Sequence, residues 1–144
     1  IMKKIVFIIM LLFLLFSCWE NKELTTEKNM DNWVIINEQK VYSINVKDFK
    51  EKLNDDYILI DIRTSWEISE WFISWLDLKI DYYSPDIKEQ INGLDKNKKY
   101  LIYCRTWSRS WSLLYYMKEV WFKEAYDLEG GIFAWSRAWW EIKK

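Results

Sequence analysis

The amino-acid sequence predicts an α/β fold in which helices cover both faces of a central parallel sheet. From Trp33 onward, short apolar runs alternate with short amphipathic segments, and strands that alternate with helices form parallel sheets of this kind. The chain has 144 residues, which is enough for one domain with a modest core, and no internal repeat is visible. We therefore expect a single small three-layer domain.

The first predicted elements are a strand over residues 41–44 and a helix over residues 46–53. Asn45 suits the N-cap of this helix, because its side-chain oxygen can accept a hydrogen bond from a free N–H group of the first turn. Phe49 and Leu53 lie four residues apart and therefore share one face of the helix.

The middle of the chain contains the clearest buried strand, residues 57–61, where three aliphatic side chains follow one another. A short helix over residues 65–70 follows, with Ser65 as its predicted cap. Residues 78–80 are predicted as a short strand, and a proline near the first turn suits the start of a helix over residues 85–92.

The last part of the chain is predicted as strand 100–103, helix 110–120, strand 124–128 and helix 132–138. The first of these strands is wholly aliphatic or aromatic, and two consecutive glycines separate the last strand from the closing helix. Ligands of parallel α/β folds bind beyond the carboxyl ends of the strands. The residues that follow position 103 are therefore the first candidates for a functional site.

A single cysteine, Cys104, stands at the end of that strand, and Arg105 and Arg109 follow it within five positions. A thiol between a strand end and a helix start faces the positive end of the helix dipole and inward-pointing backbone N–H groups. That setting favours the thiolate, which is the nucleophilic form of cysteine. The alternative is a buried structural cysteine that merely ends a strand.

Composition excludes several kinds of site. The chain contains no histidine, which removes Cys-His dyads, Ser-His-Asp triads and histidine metal sites. Its two cysteines cannot by themselves build a structural zinc site, so we expect neither a metal nor another cofactor. The net charge is −1 and no basic stripe is present, so we expect no nucleic-acid partner.

The N-terminus predicts export. An unbroken apolar run over residues 5–16 is too short for a comfortable membrane span and fits the core of a signal peptide over residues 1–17. Cys18 follows directly and resembles the lipobox cysteine of bacterial lipoproteins, which implies a lipid anchor there. Residues 18–32 then form a flexible linker and residues 33–144 the folded domain. The alternative is an uncleaved N-terminal anchor; either way we expect an exported, membrane-tethered protein, periplasmic or on the outer surface.

Several motifs, in the correct order, resemble single-domain rhodaneses over about residues 41–142. The matching residues are Asp61-Ile-Arg at residues 61–63, Glu67, Ile73, YCRTWSRS at residues 103–110 and LEGGIFAW at residues 128–135. The resemblance implies a small three-layer rhodanese-like fold around a central parallel sheet. It also implies a sulfurtransferase of the thiosulfate sulfurtransferase class.

By this resemblance Cys104 is the catalytic nucleophile. It accepts a sulfane sulfur from an anionic thiosulfate- or persulfide-type donor, holds it as a persulfide, and passes it to a thiol, a thiol protein or a cyanide-type acceptor. The loop amides cradle the substrate, and the implied substrate-binding residues are Arg105, Thr106, Trp107, Ser108, Arg109 and Ser110.

Three further residues are expected to support the loop. Asp61 and Arg63 end the neighbouring strand, where they form either a structural ion pair or a polar wall beside the loop. Glu67 is expected to pair with Arg63 rather than to act in chemistry. Arg109 is expected to stabilise the loop and add positive potential, with a plain surface arginine as the alternative.

The loop length distinguishes between reactions. Four residues separate Cys104 from Arg109, whereas related dual-specificity phosphatases of similar fold have five. The shorter ring suits a terminal sulfur and favours sulfur transfer over phosphate or arsenate chemistry. Two alternatives stay open: a catalytically silent rhodanese-like binding module, and a cysteine-based phosphatase or arsenate reductase.

The chain has 11 Trp but 3 Gly, the reverse of ordinary domains. Several Trp residues stand where the rhodanese family has Gly, although the family does have Trp at position 135. Some bacteria read the UGA codon as glycine, so we predict a translation artefact; the alternative is an aromatic surface that binds carbohydrate or a partner. The positions in question are Trp19, Trp66, Trp71, Trp75, Trp107, Trp111, Trp121 and Trp139.

Overall fold

A computed structural model describes residues 28–29, 32–33, 39–138 and 141–144. The chain divides into two units, residues 1–37 and residues 38–144. In the first unit, β1 (Lys28–Asn29) pairs antiparallel with β2 (Asn32–Trp33). The predicted signal peptide and the predicted lipidation site Cys18 lie outside the described residues. Within the described part of the chain, no helix has the length and hydrophobicity needed to cross a bilayer.

The second unit alternates strands and helices as the sequence predicts. Its strands in the described residues are β3 (Lys40–Ile44), β4 (Ile58–Asp61), β5 (Phe72–Ile73), β6 (Leu78–Lys79), β7 (Lys99–Tyr103), β8 (Glu124–Leu128) and β9 (Ile142–Lys143). Its helices there are α1 (Val46–Lys52), α2 (Ser65–Glu70), α3 (Ile87–Asn92), α4 (Ser108–Glu119) and α5 (Gly131–Arg137).

Five of these strands form one parallel sheet in the order β3-β8-β7-β4-β6. The α/β fold with a central parallel sheet and flanking helices is therefore confirmed. Strand β7 lies in the middle, with Tyr103 beside Asp61 of β4 and Ile102 beside Asp127 of β8. Because parallel strands all end at the same edge, the residues that follow β3, β4, β7 and β8 meet there.

The alternation of side chains along β7 builds a core on each face of the sheet. Tyr100 and Ile102 point to the face that α3 and α4 cover, where Met117 packs in the same cluster. Leu101 and Tyr103 point to the opposite face, which α1 and α5 cover. Both faces are thus sealed, which explains why β7 carries a continuous apolar run.

The structure corrects three details of the sequence prediction. Thr64, not Ser65, is the N-cap of α2: the Thr64 hydroxyl accepts the Glu67 N–H and the Glu67 carboxylate accepts the Thr64 N–H, which is a capping box. Helix α4 begins at Ser108 rather than at residue 110. Strand β8 is not the last strand, because β9 follows it and pairs antiparallel with β5.

Three tryptophans have backbone conformations that favour glycine. Among the described residues, the non-glycine positions with positive φ are Trp75 at 70°, Trp107 at 111° and Trp121 at 69°. Trp121 stands at the left-handed position of a helix ending, with its N–H on the Lys118 carbonyl and the Phe122 N–H on the Met117 carbonyl. Glycine is the usual residue at such a helix ending.

Other positions in the tryptophan set differ. Trp71 is extended, with a φ of −175°, which is a backbone conformation that any residue adopts. Trp66 lies inside α2 and Trp111 inside α4, where right-handed helical geometry suits any side chain. Trp19 and Trp139 lie outside the described residues.

Candidate active site

The loop between β7 and α4 surrounds the sulfur of Cys104. The Trp107 N–H donates to the Sγ atom at 3.1 Å, and the Ser110 Oγ lies 3.5 Å from the same sulfur. One loop amide and one hydroxyl therefore converge on the position where negative charge is expected. The two groups come from the first turn of α4 and the residue before it, so the helix start positions both.

Cys104 itself is fully buried. Its side chain belongs to the apolar cluster on the α3 and α4 face, together with Ile102 and Leu113. The sequence predicts a reactive thiol, with a buried structural cysteine as the alternative, and the structure shows a thiol that has polar contacts yet no solvent exposure. A donor can therefore reach Sγ only when some of the atoms that cover it move.

Arg109 anchors the loop to α2 through a two-pronged ion pair. Its Nη1 donates to Glu67 Oε2 at 2.9 Å and its Nη2 donates to Glu67 Oε1 at 2.7 Å. These hydrogen bonds, with those from Thr64, lower the pKa of Glu67 to about 2. The expected partner of Glu67 is therefore wrong: its carboxylate binds Arg109, and Arg63 reaches only its backbone carbonyl, at 3.3 Å.

Asp61 and Arg63 form a buried ion pair at 2.6 Å beneath this region. Arg63 is 2% exposed, and it also donates to the Trp71 carbonyl at 2.7 Å. Its guanidinium lies 5.6 Å from the ring centroid of Tyr103, the last residue of β7. Of the two expected arrangements, these contacts are those of a structural ion pair that holds the end of β4 and the start of β5 in place.

The outer part of the loop is exposed. Arg105, Thr106, Trp107 and Ser108 all face solvent, whereas Ser110 is buried. The Arg105 guanidinium lies 5.0 Å from the ring centroid of Phe133, so its charge stands at the rim of the loop. Of the residues predicted to bind substrate, the structure brings the Trp107 amide and the Ser110 hydroxyl to the sulfur.

Gly131 lets the first turn of α5 form hydrogen bonds with the start of the loop. The Ile132 N–H donates to the Cys104 carbonyl at 2.9 Å, and the Phe133 N–H donates to the Arg105 carbonyl at 3.2 Å. A Cβ atom at position 131 would lie 2.6 Å from the Cys104 carbonyl oxygen, and the φ of Gly131 is +58°. Only glycine allows this approach, so the pair of glycines does more than end β8.

Asp127 is the site residue that sequence reasoning missed. It is fully buried near the end of β8, and its Oδ2 lies 3.1 Å from the Ser110 Oγ. Burial raises the pKa of Asp127 to about 6. The available signal was an acidic residue near the carboxyl end of a strand that the fold places beside Cys104. Where the chain is described, no group of three or more Cys, Asp or Glu side chains suited to a metal is found.

Comparison with known proteins gives one consistent family. The profile of the rhodanese-like domain family matches residues 45–138. The putative sulfurtransferase YtwF of Bacillus subtilis is 33% identical over 99 residues, which is 67% of this chain and 92% of that protein. A protein of Allochromatium vinosum named sulfurtransferase is 31% identical over 99 residues, which is 67% of this chain and 90% of that protein.

Solved structures show the same fold. The crystal structure of a rhodanese-related protein from Thermoplasma volcanium superposes with a TM-score of 0.63 at 24% identity, over 71% of this chain and 97% of that one. A rhodanese-like domain protein from Staphylococcus aureus superposes with a TM-score of 0.56 at 29% identity, over 65% of this chain and 90% of that one.

Proposed function

The chain belongs to the family of rhodanese-like domains, and we propose that it is a sulfurtransferase that carries a sulfane sulfur on Cys104. The observation that supports this proposal most directly is the Trp107 N–H on Sγ at 3.1 Å, with the Ser110 hydroxyl beside it. Both groups stabilise negative charge on sulfur. The relatives named sulfurtransferase, at 31% and 33% identity, support the same reaction class.

The proposed reaction has two displacement steps. The Cys104 thiolate attacks the outer sulfur of a thiosulfate-type donor; the donor S–S bond breaks, and sulfite leaves with the electron pair. The persulfide on Cys104 then gives its outer sulfur to an attacking thiolate or cyanide, and the Cys104 thiolate leaves. The first step begins and the second step ends with a thiolate at Sγ, which is the charge that the Trp107 amide and the Ser110 hydroxyl face. Between the two steps the persulfide carries its negative charge on the outer sulfur.

The test is thiocyanate formation from thiosulfate and cyanide by the purified protein, with Cys104→Ser as the variant. Sulfur transfer by the native chain and none by Cys104→Ser supports the proposal; full activity in Cys104→Ser excludes the mechanism. Hydrolysis of a phosphate monoester without any sulfur transfer would instead support a cysteine-based phosphatase, which the four-residue spacing from Cys104 to Arg109 disfavours.

A second candidate function is a catalytically silent binding module. The observation in its favour is the complete burial of Cys104. In that case the protein would form no persulfide when thiosulfate is added. A mass increase of one sulfur atom on Cys104 after incubation with thiosulfate would exclude the silent module even if the final acceptor is not cyanide.

We further propose that the domain is tethered outside the cytoplasm through Cys18. The supporting features are the apolar run over residues 5–16 and the cysteine placed directly after the small residue Ser17. Metabolic labelling with a radioactive fatty acid tests this proposal. Label in the native chain and none in Cys18→Ala is the expected result, and equal labelling of both would contradict it.

We also propose that several of the tryptophans are glycines in the cell, encoded by UGA. Trp75, Trp107 and Trp121 support the idea, because each has positive φ and each is at least 39% exposed. Trp135 contrasts with them: it is fully buried and its Nε1 donates to the Glu141 carbonyl. The gene is the test. UGA is expected at positions 75, 107 and 121 and UGG at position 135, and UGG at 107 would overturn the proposal for the loop.

A further inference from the structure

We propose that Asp127 is a positioning residue that decides whether the Ser110 hydroxyl donates its hydrogen bond to the carboxyl group or to the sulfur of Cys104. Through this choice Asp127 sets how strongly the loop stabilises negative charge on that sulfur. The inference rests on the proposed sulfurtransferase function, which it deepens by adding a residue outside the loop. The interatomic distances on which it rests do not depend on that function.

The geometry is a short chain of polar atoms under the loop. Asp127 Oδ2 lies 3.1 Å from Ser110 Oγ, and Ser110 Oγ lies 3.5 Å from Cys104 Sγ. The Trp107 carbonyl lies 2.9 Å from the same Oγ. All three side chains of this relay are fully buried, so water does not supply alternative hydrogen-bond partners. The second carboxyl oxygen, Oδ1, has no hydrogen-bond partner among the described residues.

Counting protons gives two distinct arrangements. A serine hydroxyl has one proton to donate. When Asp127 is ionised, the carboxylate attracts the Ser110 proton and also repels a thiolate nearby. When Asp127 is protonated, its own O–H donates to Ser110 Oγ, and the Ser110 proton goes to the Trp107 carbonyl at 2.9 Å or to Sγ at 3.5 Å. A thiolate carries a full negative charge and is therefore the stronger acceptor of the two once Cys104 is ionised. The neutral acid therefore leaves the sulfur with two donors, and the carboxylate leaves it with the Trp107 amide alone.

The surroundings of Asp127 raise its pKa, so that it is protonated up to a higher pH than an ordinary aspartic acid. Burial raises its pKa, the charge of Glu129, which follows β8, also raises it, and the net value with all its neighbours is about 6. Ser43 of β3 and Ser110 of α4 lower it, and β7 presents the apolar Ile102 in register. Of the two cations of the loop, Arg109 is held by Glu67 and Arg105 lies at the exposed rim.

The matched variant is Asp127→Asn. An asparagine NH₂ group donates to Ser110 Oγ at every pH, as the neutral acid does, and it carries no charge. Asp48→Asn is the control, because it removes the same charge at the exposed start of α1. The rate of alkylation of Cys104 by iodoacetamide is followed from pH 4.5 to 9 by mass spectrometry of the Cys104 peptide, so that Cys18 does not interfere.

For Asp127→Asn we expect a single titration whose midpoint lies lower than in the native protein by about one pH unit, the size expected when a thiolate gains one hydrogen bond from Ser110. Asp48→Asn should match the native profile. Adding Ser110→Ala to Asp127→Asn should remove most of the shift. Overlapping profiles for Asp127→Asn and the native chain would overturn the proposal, as would an undiminished shift in the double variant.

Two further measurements keep the result interpretable. If Asp127→Asn does not fold, as judged by near-UV circular dichroism, Asp127→Ser is used instead, because it also carries no charge and its hydroxyl can donate to Ser110. Its midpoint should fall as for Asp127→Asn, and an unchanged midpoint overturns the proposal. Thiocyanate formation is measured in parallel. If the native chain makes no thiocyanate but the midpoint shifts in Asp127→Asn, the proposed function fails and this inference stands. If the native chain does form thiocyanate but Asp127→Asn shows no shift of the alkylation midpoint, the proposed function stands and this inference fails.

Discussion

Arg109 and Glu67 join the first turn of α4 to α2 by two parallel hydrogen bonds, of 2.9 Å and 2.7 Å, between a guanidinium and a carboxylate. The pair spans 42 positions of sequence and is mostly shielded from solvent. Because Arg109 lies in the turn that ends the Cys104 loop, the pair fixes where this turn stands relative to the end of β4. It therefore acts on the shape of the loop.

Glu67→Gln tests the contribution of this pair to stability. A glutamine keeps the capping box with Thr64 but loses the charge, so we expect a loss of about 2 kcal/mol in the free energy of unfolding at pH 7. The folded protein holds the pKa of Glu67 at about 2, below the ordinary 4.5. The contribution is therefore full above pH 4.5 and lost as the pH falls towards 2.

Urea unfolding of the native chain and Glu67→Gln at pH 7, 4 and 2.5 measures this dependence. The two free energies should converge as the pH falls. A difference that is the same at pH 2.5 as at pH 7 would mean that the charge of Glu67 contributes nothing and that the variant acts through packing.

Gly131→Ala tests the close contact between the start of α5 and the Cys104 loop. The new Cβ would overlap the carbonyl of Cys104 at 2.6 Å, so we expect a loss of at least about 2 kcal/mol in stability and a tenfold or larger fall in sulfur transfer. Gly93→Ala is the matched control, because its Cβ would meet backbone atoms no closer than 3.5 Å at a φ of −74°. Sulfur transfer by Gly131→Ala at the level of Gly93→Ala would contradict the prediction.

The strand, loop and helix around Cys104 could be predicted because their signals are local. The apolar run that ends at Tyr103 marks a buried strand, and the cysteine and arginines that follow stand on the connection to a helix. The register of the sheet then follows from alternation. The predicted cap of α2, Ser65, is one residue away from the observed cap, Thr64. Both residue types are good caps, and only the position of Glu67 decides between them.

The pairing of Glu67 and the role of Asp127 could not be predicted in the same way. Arg63 is four residues from Glu67, so local spacing favours that pair, but Arg63 is already committed to Asp61 in the core. The partner that remains, Arg109, lies 42 residues away in the helix that follows β7. It reaches Glu67 because β7 and β4 are neighbours in the sheet. Asp127 reaches the site only because β8 lies beside β7, which is a tertiary fact.

The Asp61–Arg63 pair gives a prediction about buried charge. Arg63→Met should lose about 3–5 kcal/mol in the free energy of unfolding, because Asp61 is then left buried without its cation. The double variant Asp61→Asn with Arg63→Met removes both charges and should lose less than Arg63→Met alone. Urea unfolding compares the three chains. An equal or larger loss in the double variant would show that packing, and not the unpaired carboxylate, dominates.

The last prediction concerns the tryptophans of the helix ends and interiors. Trp121→Gly should raise the free energy of unfolding by about 1 kcal/mol, because the left-handed φ of 69° is costly for a side chain and ordinary for glycine. Trp66→Gly should lower it by about 1 kcal/mol, because glycine weakens the interior of α2. Both tryptophans are more than half exposed, so lost burial is similar in the two variants.

Thermal and urea unfolding of the two variants, compared with the chain that has tryptophan at both positions, measures these opposite signs. Two variants that both destabilise the domain would show that the ring of Trp121 contributes more through its contacts than its backbone conformation costs. Opposite signs would show that position 121 is built for glycine, whatever residue the cell places there. The same measurement on Trp107→Gly, where φ is 111°, tests whether that position of the Cys104 loop is also built for glycine.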